Sequence, residues 1–405
     1  MSRHLTSSIR RPAVILSILL LIEFLDELIF GAGEAAWPLI RDDLALSYFQ
    51  IGILLSLPAF ISNLVEPALG ILADTWNRRA LILGGGIVFA LSLGLTAASW
   101  GFLPLLISFM LFGPANGAFV NVSQAELMDA EPLRREQNMA RWTFAGSLGV
   151  VLGPLALGGA VLLHFSWRSM YVLFAAMTLL ILGFTWRIPI QGGDPDNKGG
   201  RLLTGFETGI RSAFQAVKRR GVLRWLILLE FSDLMLDILL GFLALYFVDV
   251  VKVSPAQATL AVSVWAGVGL LGDFLLIPLL ERVSGLAYLR VSAFLELILY
   301  ITFLLVADWL VKMAALALLG FFNSGWYAIL QAQLYSALPG RSGAALAAKN
   351  ISGLVGSLLP VALGWLAQQY NLQLSMWLLL LGPIALLLGL PGRTSEHSKA
   401  RVERD

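Results

Sequence analysis

The stretch EFLDE at residues 23–27 places three carboxylates inside an apolar run, and a related stretch, EFSDL, returns at residues 230–234. The second stretch begins 207 positions after the first, and other similar residues recur at the same offset without a gap. A match maintained from residue 23 to residue 149 predicts a duplicated chain of two related halves. The further pairs are Glu66 with Asp273, Asp74 with Glu281, Gln124 with Gln331, Pro132 with Pro339, Arg134 with Arg341, Gly146 with Gly353 and Gly149 with Gly356.

The composition places the chain in a lipid bilayer. Of its 405 residues 58% are hydrophobic and only 13% are charged, which excludes a soluble globular domain. Apolar runs long enough to cross about 30 Å of hydrocarbon recur along the chain, and helices are the element that pairs their backbone groups internally. The predicted helices are 13–35, 49–73, 80–99, 102–127, 140–163, 169–187, 222–248, 257–280, 288–306, 311–336, 344–367 and 375–391.

These twelve segments predict an all-α membrane protein with two pseudo-symmetric six-helix bundles, at residues 1–187 and 222–391. Between them, residues 188–221 are predicted to be a polar linker rich in glycine that ends in an amphipathic helix containing Phe206, Ile210, Phe214 and Val217. Residues 392–405 are a short charged tail. The chain has no cysteine, which excludes disulfides, thiol catalysis and thiolate metal sites.

The basic residues predict the orientation in the membrane. With the amino terminus inside, only Arg41, Arg168, Lys252 and Lys312 fall in external loops, so the other 24 of the 28 basic residues lie at the inner side. We therefore expect a multi-pass protein of the cell membrane with both termini in the cytoplasm. The net charge of +2 gives no reason to expect nucleic acid as a partner.

Carboxylates at mid-helix are the strongest indication of a functional site. Each one costs roughly 2.5 to 3.5 kcal/mol at the bilayer centre, so each must face protein or water. Their helical spacing places those of one helix on a single face. The set consists of Glu23, Asp26 and Glu27 on helix 1, Glu230, Asp233 and Asp237 on helix 7, Glu66 on helix 2 and Asp273 on helix 8.

The loop between predicted helices 2 and 3 reads GILADTWNRR at residues 70–79. Its Gly70, Asp74, Arg78 and Arg79 have the spacing of the marker motif of the major facilitator superfamily, whereas Thr75 and Asn77 depart from it. With twelve helices in two halves, the chain resembles a transporter of that family. The resemblance implies that Gly70, Asp74, Arg78 and Arg79 form a conformational latch, with Asn77 replacing a glycine in the turn.

Predicted helix 5 carries a second part of the resemblance. Its small residues are similar to the glycine and proline motif of drug/proton antiporters, although Pro154 is one residue further from the glycine pair. The Arg that many proton-coupled members carry on helix 4 is replaced by Phe109, so any coupling must use other groups. The helix 5 residues concerned are Gly146, Gly149, Gly153, Pro154, Gly158 and Gly159.

In that family helices 1, 4, 7 and 10 line a central cavity, so the resemblance implies that the acidic faces of helices 1 and 7 oppose one another. We expect Arg141 and Lys349, near the inner ends of helices 5 and 11, to lie too shallow to neutralise the acids. Polar and aromatic residues on helices 4 and 10 would form the cavity wall. They are Asn116, Asn121, Gln124, Asn323, Trp326, Tyr327 and Gln331.

The leading functional hypothesis is a secondary active transporter that works by alternating access, a proton-coupled exporter of cationic or amphipathic organic compounds. Substrate and protons would compete for the same carboxylates. Transport of a hard divalent metal ion is the alternative, because oxygen ligands dominate, and a non-transporting sensor is a remote one. Neutral or anionic nutrients fit worst, because no basic residue is expected at mid-depth.

The chain lacks HExxH, GxSxG and phosphate-loop motifs, so an enzyme is not expected, and neither is a cofactor. Besides a small-molecule or ion substrate, the expected partners are protons and the lipid bilayer, and the monomer is the expected functional unit.

Overall fold

The computed structural model describes residues 3–75, 77–130, 134–187, 217–338 and 342–391, which form helices with short connections. We number the long helices α1 to α12 in chain order. Phe206, Ile210 and Phe214 of the expected linker helix lie outside the described residues, as does the tail at 392–405. Those two assignments remain predictions.

The first half contains six helices. A π-helical turn interrupts α4 shortly after Pro114, whose missing N–H removes one α-helical hydrogen bond. The helices are α1 at Arg3–Leu44, α2 at Tyr48–Thr75, α3 at Arg78–Ala98, α4 at Phe102–Asn116 continuing through Gly117–Asn121 and Val122–Ala130, α5 at Arg135–Leu162 and α6 at Trp167–Thr185.

The second half repeats this plan with more interruptions. Helix α10 breaks at Gly325, whose φ of 71° lies in the left-handed region that glycine adopts without strain. The helices are α7 at Arg220–Asp233 continuing through Leu234–Ile238, Leu239–Tyr246 and Phe247–Val251, α8 at Pro255–Leu280, α9 at Gly285–Leu305, α10 at Trp309–Asn323 and Trp326–Ser336, α11 at Ser342–Gly356 and Leu359–Gln369, and α12 at Leu372–Met376, Trp377–Leu380 and Leu381–Gly389.

Within the described residues, eleven helices are long and apolar enough to cross a membrane. Helix α1, which carries the acidic stretch, is the twelfth long helix. The all-helical architecture of two six-helix halves is therefore as predicted.

Helix α1 is longer than the sequence indicates. We expected it to end near residue 35, but it continues through Pro38 to Leu44. Its extension is held by apolar packing, since Trp37 is 2% exposed and Ile40 is fully buried. The extension places Glu34 inside the helix and Arg41 near its end.

The glycines of α5 form a close contact with α1, which we call the glycine seam and define by Gly146, Gly149 and Gly153. A Cβ on Gly149 would lie 2.6 Å from the Phe24 carbonyl oxygen and 2.7 Å from the Leu28 nitrogen. Of all helix pairs described, α1 and α5 make the most extensive contact. The motif that resembles an antiporter signature thus forms the tightest packing contact of the first half.

The two halves contact one another at the end of the bundle where α1 finishes. The Arg41 guanidinium donates to Asp249 at the end of α7, and the Tyr48 hydroxyl donates to the same carboxylate at 2.5 Å. Arg41 also bonds to Asp42, at 2.7 Å. We call Arg41, Tyr48 and Asp249 the Arg41 gate.

A second contact between the halves lies beside the gate, where α2 packs on α11. The Ser56 hydroxyl accepts the Val361 backbone N–H at 2.9 Å. Added Cβ atoms on Gly52 and Gly364 would overlap the opposite backbone, so the two helices approach as closely as glycine allows. This end of the bundle is closed by an ion pair and by backbone packing together.

Replacing Arg41 with Met should open this end. The side chains of Arg41 and Asp249 are only 15% and 19% exposed. Loss of their ion pair should therefore destabilise the closed state by about 1 to 2 kcal/mol, which lowers its population relative to the open state roughly tenfold. Because the chain has no cysteine, Ser56→Cys supplies a single reporter at the α2–α11 contact. Labelling of that thiol by a maleimide should become roughly tenfold faster in Arg41→Met.

The matched control is Arg168→Met. Arg168 lies at the same end but bonds to Asp43, at 2.7 Å, and to the Ser99 carbonyl within its own half. The Arg168→Met substitution should leave the labelling rate of the Ser56→Cys reporter unchanged. Equal labelling rates in the two variants would show that the Arg41 gate does not hold the halves together.

Candidate substrate and proton site

The acids of α1 contact α4 and α5. The amide nitrogen of Asn116 donates to Asp26 at 2.6 Å, which joins α4 to the middle of α1. Glu23 is 8% exposed and accepts a hydrogen bond from Trp142 of α5. Glu27 is half-buried beside the glycine seam. Of these three, Glu23 is the most enclosed.

The acids of α7 interact with one another. Asp233 and Asp237 lie one helical turn apart and interact electrostatically, so a proton or a cation between them would reduce their repulsion. Asp237 is exposed although the helix that follows it is buried from Ile238 to Phe247, so it borders an open space between helices. The pair can therefore hold a proton and meet a ligand at the same place.

The two acidic faces meet across the boundary between the halves. Asp237 of α7 lies close enough to interact electrostatically with Glu27 and with Glu34, both on α1. We define the acid cluster as Asp26, Glu27, Glu34, Asp233 and Asp237. The opposition of α1 and α7 that the family resemblance implies is present in the structure.

Lys349 of α11 is the basic residue of this site. Its ammonium group interacts electrostatically with Glu66, Glu230, Asp233 and Asp237. It also donates to the Tyr327 hydroxyl and lies 4.5 Å from the centre of that ring. Lys349 thus lies close enough to interact with these acids, although one ammonium group cannot neutralise all of them.

The repeat-related pair on α2 and α8 occupies the edge of the site. Asp273 accepts the Gly325 backbone N–H at 3.1 Å, so it caps the second part of α10 at the helix break. Glu66 lies near Gly117 of α4 and faces Lys349. Asp273 thus has a structural partner, and Glu66 an electrostatic one.

The expected cavity wall is only partly assembled. Asn121 and Tyr327 are exposed, and Gln124 and Gln331 are half-buried. Two others pack inside the second half. Trp326 is fully buried with its indole N–H on Ser292, and Asn323 is 3% exposed and donates to the Met235 carbonyl.

The expected latch residues lie at the end opposite the Arg41 gate. Arg78 bonds to the Asp129 carboxylate at 2.8 Å, and Arg79 bonds to the Trp186 carbonyl at 2.6 Å, so both tie α3 to helices of its own half. Gly70 and Asp74 belong to the last turns of α2. Asn77 is extended, with φ of −72°, and caps α3 through Ala80, so this turn does not use the left-handed conformation that a glycine would allow.

Glu34 was missed by the sequence reasoning. It accepts the Trp37 indole N–H at 3.1 Å and faces Asp237. It lies next to residue 35, where the predicted helix ended. The available signal was its spacing, since it lies seven residues after Glu27 on the same helical face.

Glu296 of α9 is a buried acid outside the predicted site. It is fully buried, and neither carboxyl oxygen has a hydrogen-bond partner among the described residues. Leaving a buried polar group unpaired costs about 1 to 3 kcal/mol. Glu296→Met should therefore raise the free energy of unfolding by about that amount, measured by thermal denaturation in detergent.

The exposed Glu281, which follows α8, supplies the control for Glu296. Glu281→Met should change stability by less than about 0.5 kcal/mol. A destabilised Glu296→Met variant would show that the carboxyl group of Glu296 makes a favourable contact.

In the described part of the chain, no group of three or more His, Asp or Glu side chains is arranged to hold a metal ion. The acids of the cluster are spread over two helices and two halves.

Comparison with known proteins establishes the family. The model of the Major Facilitator Superfamily matches residues 18–359. The chain therefore belongs to the major facilitator superfamily of transporters.

Curated relatives match parts of the chain. A hexuronate transporter of Bacillus subtilis is 27% identical over 169 residues, 41% of this chain and 38% of the relative. A probable sugar efflux transporter of Helicobacter acinonychis is 25% identical over 62% of this chain and 63% of the relative. The methyl viologen resistance protein SmvA of Salmonella typhimurium is 30% identical over 34% of this chain and 28% of the relative. Each match spans less than two thirds of the relative's length.

Solved structures share the fold over nearly the whole chain. The nucleoside transporter NupG superimposes with a TM-score of 0.74 at 14% identity, and the match covers 93% of this chain and 98% of that one. A bacterial homologue of the human lysosomal transporter Spinster, inward-facing and unoccupied, superimposes with a TM-score of 0.72 at 17% identity, and the match covers 94% of this chain and 95% of that one. At these identities the likeness is one of fold.

Proposed function

We propose that this transporter is a proton-coupled exporter of cationic or amphipathic organic compounds that works by alternating access. The observation that carries the proposal is the meeting of Glu27 and Glu34 with Asp237 at the boundary between the halves. Carboxylates that interact electrostatically repel one another less when they bind protons or a cation. A cationic substrate and protons would therefore exclude each other from one site, which is the requirement for exchange.

The helix contacts are those expected for one step of export. The Arg41 gate closes one end of the bundle, while Asp237 remains accessible from the space between the helices. The excess of basic residues at the other end favours the cytoplasm on that side. In this orientation a substrate enters from the cytoplasm and leaves after the Arg41 gate opens. The names of two relatives, an efflux transporter and a resistance protein, agree with export.

A second candidate is transport of a sugar or a sugar acid. Lys349 provides a basic residue among the acids, which the sequence reasoning did not anticipate, and Tyr327 lies beside it. Lys349 would then bind a carboxylate or hydroxyl of the substrate, and the acids would carry protons. The hexuronate and sugar efflux transporters among the relatives favour this reading.

Reconstitution in liposomes that contain a pH-sensitive dye separates the candidates. A panel of organic cations, hexuronates, neutral sugars, Mg²⁺ and Mn²⁺ is added one at a time, with protein-free liposomes as the control. Proton movement triggered by organic cations supports the proposal, and movement triggered by hexuronates or sugars supports the second candidate. Movement with the divalent ions alone, or with none of the panel, would contradict both.

A further inference from the structure

A cavity of about 530 Å³ lies between α7, α11 and α12, beside the acid cluster. Its volume falls within the range of about 300 to 1,000 Å³ that is typical of small-molecule sites. The described residues that line it are apolar with few exceptions, and Glu230 is the charged one. The lining includes Leu223, Ile227, Leu234, Val355, Leu378 and Leu381.

The cavity exists because the two halves differ at this point. In the first half, Glu23 is enclosed by the glycine seam and Trp142. Glu230 is the equivalent of Glu23 in the repeat, but α7 and α11 pack much less closely than α1 and α5. Helix α11 breaks after Gly356, and its second part begins at Leu359. The break leaves open the space that the glycine seam fills in the first half.

The apolar wall of the cavity reaches the surface of the protein. Leu223 is 42% exposed, Ile227 is 45% exposed and Val355 is 69% exposed, so the cavity opens between apolar side chains. In a membrane protein such a surface faces hydrocarbon, which gives access to molecules dissolved in the bilayer. A ligand that enters here needs a hydrophobic body.

Glu230 determines which charge a ligand in this cavity would need at its polar end. Its carboxyl group bonds to Ser352 and projects against Gly356, where an added Cβ would overlap it. Lys349 also faces Glu230, but its charge is shared with Glu66, Asp233 and Asp237. The local charge is therefore negative and complementary to a cation.

We infer that this cavity is a lateral binding site for an amphipathic organic cation, whose hydrocarbon chain lies between α7, α11 and α12 and whose cationic group lies at Glu230. The site is separate from the acid cluster, and the inference rests on the proposed function only for the class of ligand. It gives a hydrophobic cation a place to bind from the membrane before it reaches Asp233 and Asp237.

The test uses the purified full chain in nanodiscs of zwitterionic lipid and a dodecylammonium probe that carries a photoreactive diazirine on its alkyl chain. After irradiation, the labelled peptides are identified by mass spectrometry. Label should concentrate at residues 223–234, 351–363 and 378–381, and unlabelled dodecyltrimethylammonium should compete for it. A neutral diazirine alcohol of the same chain length should label these residues at least about tenfold less.

Two variants on α11 provide the matched comparison. Val355→Trp fills the cavity and should lower labelling at least about tenfold. Leu358→Trp adds the same side chain at a 51% exposed position that does not line the cavity, and it should label like the wild type. Equal labelling of the two variants would overturn the inference, provided that both elute as the wild type does in size-exclusion chromatography.

Two further variants test where the cationic group of the ligand binds. Glu230→Gln should remove the preference for the ammonium probe over the alcohol; a preference that persists would overturn the assignment of Glu230. Asp26→Asn should retain the labelling pattern, because Asp26 lies outside the cavity. If Asp26→Asn loses proton-coupled transport but keeps the labelling, the lateral site does not depend on the proton site. If the wild type shows labelling but no proton-coupled transport, the proposed function fails and this inference stands; transport without labelling means the reverse.

Discussion

Substitution of Asp26 or Asp233 by Asn is expected to reduce substrate-driven proton movement in liposomes by at least about 100-fold. Each substitution removes a group that can exchange a proton but keeps its size and an oxygen acceptor. At position 26 the Asn116 amide can still donate to that oxygen, so the contact between α1 and α4 survives. Proton movement is read from the internal dye after addition of the most active compound of the panel.

The matched control is Asp308→Asn. Asp308 accepts the Val311 backbone N–H at 2.9 Å at the start of α10, and Asn makes the same helix cap. This variant should transport at the wild-type rate. If Asp26→Asn and Asp233→Asn also do, the acids are structural and carboxylate-based exchange is wrong, whereas the family assignment stands.

The second large effect is expected at the glycine seam. Gly149→Leu forces a side chain into the backbone of α1 at Phe24 and Leu28, where even a Cβ has no room. Backbone cannot move aside as a flexible side chain can, so α1 and α5 must separate. We expect a loss of more than about 3 kcal/mol of stability, and little monodisperse protein in size-exclusion chromatography.

The same helix supplies the control for the seam. Gly159 has no atom within 4 Å of an added Cβ, so Gly159→Leu should elute and denature as the wild type does. Gly149→Ala should fall between them, with a loss of about 1 to 3 kcal/mol. A Gly149→Leu protein as stable as Gly159→Leu would show that α1 and α5 are not in close contact.

The sequence was sufficient for the architecture because its information is redundant. Twelve apolar segments, a constant offset of 207 residues and the motif at residues 70–79 all lead to one fold. The acids of α1 and α7 could be identified as candidates, since carboxylates at mid-helix are costly in a membrane, and their role stays a prediction.

Side-chain reach could not be predicted, and the helix interruptions were not. Lys349 occupies the repeat position of Trp142, so the repeat gave no reason to expect a charge inside the site. Trp326 looked like a cavity residue by composition, but its hydrogen bond to Ser292 directs it into packing between α9 and α10. The break of α11 after Gly356 did have a signal in the sequence, because Pro360 cannot bond to the carbonyl of Gly356 and stands in the first turn of the second part.

The Arg41 gate has one consequence for the cycle of the transporter. Asp42 and Asp249, the two carboxylates that hold Arg41, occupy equivalent positions in the two halves, 207 residues apart. When the halves separate, Arg41 loses the acid of the other half but keeps the neighbouring acid of its own. Opening therefore leaves Arg41 paired within its own half, whereas Asp249 loses both Arg41 and Tyr48 and is left as a free carboxylate at the mouth of the pathway. The duplication of the chain thus placed an acid beside Arg41 in its own half, and this acid remains bonded to Arg41 when the halves separate.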